Sequence, residues 1–171
     1  MTLASNRNSK ETLNYSTKIE LAHLKNVPYI GTTVIAQGVF VKRNATSQMA
    51  ELSAVTDQFT YLNWTPSTTM TVQDSQACVL DSTIAPVGLV AGGLTVFEGY
   101  GDEFDILTSS MDTTSVGHTP AIGDYLVVGT DSKPAAVAPA SISGLISFGR
   151  ITRIIGNRTW FVFNSTGVVH P

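Results

Sequence analysis

The chain has 171 residues, 43% of them hydrophobic and only 13% Asp, Glu, Lys or Arg, with a formal net charge of -3. That length suits one domain or at most two small ones. The balance excludes a charge-rich disordered chain and a long coiled coil, and a pI near 5.5 leaves no basic field for a dedicated nucleic-acid binder.

Residues 1–16 are polar and without apolar periodicity, which reads as an extended arm. Thr17-Lys18-Ile19-Glu20 has capping-box spacing, Leu21 and Leu24 follow, and Lys25, Asn26 and Pro28 act as stops. A helix of about two turns is expected, too short to stand alone. The arm and its helix occupy 1–28, and a β-rich domain occupies 29–171.

From Val27 the period changes to two. Thr33, Ile35, Gln37, Val39 and Val41 share one face of a strand, and Val34, Ala36, Gly38 and Phe40 share the other. Met49, Leu52 and Val55 fit one face of a second short helix over 47–55. Runs rich in Val, Ile, Thr and aromatics follow at 59–64, 69–73, 77–80, 94–97, 104–107, 125–128, 146–155 and 158–163. Turns are expected at Thr65-Pro66-Ser67, Gly92-Gly93, Gly99-Tyr100-Gly101-Asp102, Ile122-Gly123-Asp124 and Gly156-Asn157, and a connecting loop at 134–139. Gly156-Asn157 is the signature of a two-residue hairpin loop. Strict alternation over 146–155 places Arg153 on one face with Ser147, Gly149 and Ile151, and Arg150 on the other with Phe148, Thr152 and Ile154. In the last run Trp160 and Val162 face one way, Phe161 and Phe163 the other. The expected fold is all-β, a small β-barrel or β-sandwich with an extended N-terminal arm and one or two short helices.

No run approaches the roughly 20 apolar residues of a membrane-spanning helix, and the first ten residues carry no apolar signal segment. Cys78 stands alone, flanked by Ala77, Val79 and Leu80, so it is expected as a small buried apolar residue. These features suit folding in a reducing cytoplasm. His23, His118 and His170 belong to no spaced metal motif. Hydrolase elbows, zinc-protease motifs and phosphate loops are absent. Asp102, Glu103 and Asp105 offer oxygen ligands but lack calcium-loop spacing, so a solvated turn is expected. The sequons at Asn14, Asn44, Asn63, Asn157 and Asn164 follow from a Thr/Ser-rich composition. Lys42-Arg43 and Arg150, Arg153 and Arg158 are the local basic features, read as partner contacts or salt bridges. No catalytic, cofactor-binding or metal-binding residue is expected.

The segment Ala121-Ile122-Gly123-Asp124-Tyr125-Leu126-Val127-Val128-Gly129, followed by Leu145-Ile146-Ser147-Phe148-Gly149-Arg150-Ile151, resembles small β-barrel modules in the capsid decoration (cement) proteins of tailed bacteriophages. The resemblance covers about the C-terminal third. It implies a non-enzymatic virion protein, made in the host cytoplasm, that binds the outer capsid surface and stabilises the shell across capsomer boundaries. Its partners would be the major capsid protein and copies of itself, with a trimer favoured, and neither nucleic acid nor membrane. The low charge agrees, because charge is depleted in the cores of protein interfaces. A tail, neck or fibre-associated virion protein is the near alternative. A carbohydrate-binding β-sandwich using Tyr61, Trp64, Tyr100 and Trp160 is the alternative of another class.

Overall fold

Phe104 and Ile106 alternate with Glu103 and Asp105, and a chain of that period buries one face in a sheet while showing the other to charge. The computed structural model describes residues 13–15, 23–31, 35–65, 90–114 and 118–171, and these fold as an all-β sandwich. Among the described residues there are eleven strands: β1 Leu13–Tyr15, β2 Leu24–Gly31, β3 Phe40–Arg43, β4 Ala50–Leu52, β5 Tyr61–Asn63, β6 Val90–Phe97, β7 Tyr100–Leu107, β8 Tyr125–Val128, β9 Pro134–Val137, β10 Ile146–Ile155 and β11 Arg158–Val169. The six-stranded sheet runs β1-β7-β11-β10-β8-β9, and the five-stranded sheet runs β2-β6-β5-β3-β4. Every pairing between neighbouring strands is antiparallel.

The main core lies between the sheets. Phe40, Leu62 and Phe97 enter it from the five-stranded sheet, and Phe104, Leu126, Phe148, Ile151, Phe161 and Phe163 from the six-stranded one. Phe97 meets Phe104 edge-on at 4.7 Å between centroids, an arrangement that matches negative ring face to positive ring edge. Two smaller apolar clusters back the sheets: Val27, Tyr29, Val41, Leu94 and Val96 on one side, and Val127, Ala135, Val137 and Ile142 on the other.

The helix expected over 17–28 is corrected at its C-terminal end, because Leu24, Lys25, Asn26 and Pro28 all lie in β2. Val27 and Tyr29 bury alternately, and Pro28 sits on an edge strand, where a missing N–H breaks no inner ladder. The boundary placed after residue 28 therefore falls within a strand. Thr17 to Glu20, Cys78 and the runs 69–73 and 77–80 lie outside the described residues. Within the arm, Leu13 is fully buried and β1 pairs with β7.

The helix expected over 47–55 is replaced by a hairpin into β4. Asn44 Oδ1 accepts the N–H groups of Thr46 and Ser47 at 2.9 Å each, a local turn that competes with helix formation. Further departures concern turns and loops, and the turn expected at Gly92-Gly93 lies inside β6. Strand β7 already begins at Tyr100, leaving Glu98-Gly99 as the connection, and 134–137 forms edge strand β9 instead of loop. Single turns of 3-10 helix at 108–110, 130–132 and 139–141 are the helical pieces that stand as elements here. Gly156-Asn157 does close the two-residue hairpin of β10 and β11, with Gly156 at φ 59°.

Alternation along β10 fails for a physical reason. Register shifts between Ser147 and Gly149 and between Ile151 and Arg153 mark two β-bulges. Each adds a residue, so Phe148, Ile151 and Ile154 reach the core at intervals of three. Arg150 and Arg153, expected on opposite faces, therefore both stand on the outer face.

Candidate ligand groove on the outer face

Val162 and Asn164 on β11, Arg150 and Thr152 on β10, Tyr125 on β8 and Tyr100 on β7 line a groove of about 740 Å³ on the outer face of the six-stranded sheet. The period of β11 builds its floor. Phe161, Phe163 and Ser165 turn inward and are buried, which leaves Val162, Asn164 and Thr166 on the groove side. One wall is an aromatic stack: the Arg150 guanidinium lies 4.4 Å from the Tyr125 ring centre, and the His170 ring meets the same tyrosine at 4.6 Å. Cation–π contact holds the arginine in place while leaving its N–H groups free of carboxylate. Tyr100, 65% exposed, forms the opposite wall. Its hydroxyl donates to Glu98, and that bond raises the phenol above its ordinary pKa.

The charge on this face is sorted by position. Arg153 pairs with Glu103 at 2.8 Å and covers Trp160, while Arg158 is buried against Asp105. Arg150, between those pairs and Tyr125, has no carboxylate partner among the described residues. No Asp or Glu lines the groove, in a chain whose net charge is -3.

Each residue singled out from sequence finds a separate place. Asp102, Glu103 and Asp105 belong to a strand, correcting the expected turn, and point to His23, Arg153 and Arg158. His118 lies 2.8 Å from buried Asp124, whose carboxylate also accepts the Ala121 N–H and so closes the turn into β8. Lys42 bridges Glu51 and Asp57, and the bond to Asp57 raises its pKa. Trp64 packs against Phe104, Tyr61 against Phe59, and Trp160 lies beneath Arg153, so Tyr100 alone of the four suggested sugar-stacking aromatics lines the groove. Among the described residues no three His, Cys, Asp or Glu side chains cluster as a metal site would require, and no helix is long and apolar enough to cross a membrane. Asn63 is fully buried and donates to the Ile35 and Ala36 carbonyls, so this sequon asparagine is a structural tie.

Two members of the groove were not legible as a pair. Ser147 Oγ and His170 Nε2 lie 2.8 Å apart, from residues 23 positions distant in sequence. Ser147 is buried and its strand is paired on both sides, so its hydroxyl fixes the imidazole beside Tyr125. A nucleophile would also need an orienting carboxylate and free oxyanion donors.

A second recess, of about 300 Å³, opens beside the groove between Val55, Val127, Val128, Leu145 and Ile146, with no charged side chain in its lining. Ile146 pairs with Val169 and Phe59 bridges to Thr166, so exposed Val55, Phe59 and Val169 surround one end of the sandwich. Comparison with known proteins finds no matching protein family, no matching curated protein and no matching solved structure.

Proposed function

We propose that this chain is a virion structural protein that attaches to the outer surface of a phage capsid and stabilises the shell across capsomer boundaries. The observation that supports it most is a set of exposed apolar side chains, Val55, Phe59 and Val169, at one end of the sandwich, with Val55 on the lip of a recess that no charged side chain lines. Exposed apolar groups gathered at one place mark interaction sites, and a surface poor in ions loses little on being covered. The partners in this reading are the major capsid protein and further copies of the chain, arranged as a trimer. A protein that binds only the assembled shell stabilises that shell by mass action.

Cosedimentation with shells assembled from the major capsid protein of the same genome tests this. The full chain should pellet with shells and not with unassembled capsid protein. Val55→Lys with Val169→Asp should weaken pelleting by at least ~10-fold, because each buries an ion against an apolar partner. Absence of pelleting at micromolar protein, or pelleting untouched by the double substitution, overturns the reading. Deletion of residues 2–11 separately tests the arm, and stops short of Leu13 because that side chain is in the core.

A further inference from the structure

We propose that the outer-face groove is a binding site for a carboxylate-bearing saccharide, with Arg150 as the anion-recognising group. Three properties of the groove converge on that ligand. Firstly, Arg150 is a fixed cation without a carboxylate partner among the described residues, in a groove that no Asp or Glu lines. A guanidinium presents paired N–H donors whose spacing matches the two oxygens of a carboxylate. Secondly, Asn164 and Thr166 offer amide and hydroxyl partners suited to sugar hydroxyls, while the Thr152 hydroxyl donates to Glu103 at the rim. Thirdly, exposed Tyr100 stands beside an apolar floor that includes Val162, giving a ring face and methyl groups for the C–H face of a pyranose, while Tyr125, stacked with Arg150 and His170, holds the opposite wall.

The volume, about 740 Å³, is within the range of ~300–1,000 Å³ typical of small-ligand clefts. An extended peptide is disfavoured by topology. Peptides recognised through their backbone add to a sheet edge, whereas β11, β10 and β8 each already have a neighbour on both sides. The site is independent of shell attachment and can be tested without any capsid.

The test is titration of the full chain with 3′-sialyllactose and with a galacturonic acid trimer, followed by amide chemical shifts. Lactose and the methyl-esterified trimer serve as neutral counterparts. At least one acidic saccharide should bind saturably and shift the Arg150, Thr152 and Asn164 amides, and its neutral counterpart should bind ~10-fold or more weakly, the size expected for a hydrogen-bonded ion pair. Arg150→Gln should remove that difference, and Arg150→Lys should restore part of it. Tyr100→Ala, at an exposed position, should weaken acidic and neutral sugars alike. Melting temperatures of all variants check that the fold is retained. The proposal is overturned if neither acidic saccharide saturates at millimolar concentration, if ester and acid bind equally, or if Arg150→Gln leaves binding unchanged. Equal saturation of the same amides by inorganic phosphate also overturns the saccharide assignment, since it would mark a general anion site.

Discussion

Asp105 and Arg158 face each other across β7 and β11, the carboxylate 4% exposed and the arginine 9%. The guanidinium also donates to the Asp105 carbonyl oxygen, so the pair is tied at backbone and side chain together. Breaking a buried ion pair by removing one partner costs about 3–5 kcal/mol, whereas exchanging both for apolar groups is often neutral. Arg158→Met should therefore destabilise strongly in urea unfolding, and Asp105→Leu added to it should recover most of the loss. A smaller effect follows from the proton-binding groups whose pKa values rise on folding. Burial raises Tyr61, the bond to Glu98 raises Tyr100, and the bond to Asp57 raises Lys42. Between the ordinary values, 10.0 for tyrosine and 10.5 for lysine, and the raised ones, the folded chain holds more protons than the unfolded chain. Stability is thus intact below pH 10.0 and falls as pH climbs through the raised values. Thermal unfolding across that window should show the decline, and Tyr61→Phe should make it shallower. At this scale the site was only partly readable from sequence. Tyr100 was recognisable as an aromatic in a polar setting, but the stacking of Arg150 on Tyr125 depends on a strand pairing that connects residues 25 positions apart.

Strand β10 shows how one glycine decides an element. A Cβ on Gly149 would lie 1.8 Å from the Val162 carbonyl oxygen, a backbone atom, so no side-chain rotation relieves it. Gly149→Ala should cost about 1–3 kcal/mol or more by overpacking and should push β10 away from β11. Urea unfolding gives the first, and loss of the 149–163 amide pairing in hydrogen exchange gives the second. Gly156 marks the contrast, since nothing lies near its Cβ and only its positive φ of 59° favours glycine. Short apolar runs rich in β-branched residues, such as β8, and the hairpin at Gly156-Asn157 were legible because local sequence and tertiary packing agree. Bulges hid the facing of β10, since a bulge is set by the partner strand and not by composition. Edge strands misled in another way. Pro28 and Pro134 look like helix stops or loop residues, yet both lie in strands with an open side. The Asn44 turn displaced a helix whose apolar spacing at Met49, Leu52 and Val55 was real but occurs by chance in short stretches.

At the scale of the molecule, the sandwich carries one group of ion pairs on its outer face and another, Lys42 with Glu51 and Asp57, beside the exposed Val55 and Phe59. Glu103, Asp105, Arg153 and Arg158 gather on the outer face of β7, β10 and β11, while Val55, Phe59 and Val169 stand at one end. If that end is where copies meet, sedimentation velocity should show a concentration-dependent shift to larger species that Val55→Lys with Val169→Asp abolishes. A shift that survives the double substitution would place self-association elsewhere. Low overall charge was visible in composition from the start, but its arrangement needed the fold, because the exposed valines come from a loop and a strand more than 100 residues apart.

The place of β11 within its sheet bears on how the protein is made. It lies between β7 and β10, and every other strand of both sheets precedes it in sequence. During synthesis β7 emerges with one long edge unsatisfied and holds it open through some fifty further residues. The nascent chain therefore passes through a stage in which Phe104 lacks Phe161 and Phe163 beside it and the sheet centre is missing, a stage that invites edge pairing with other chains. Ribosome-stalled chains ending at Gly156 should be protease-sensitive and recruit chaperones, and chains extended far enough to release Val169 should become resistant in one step.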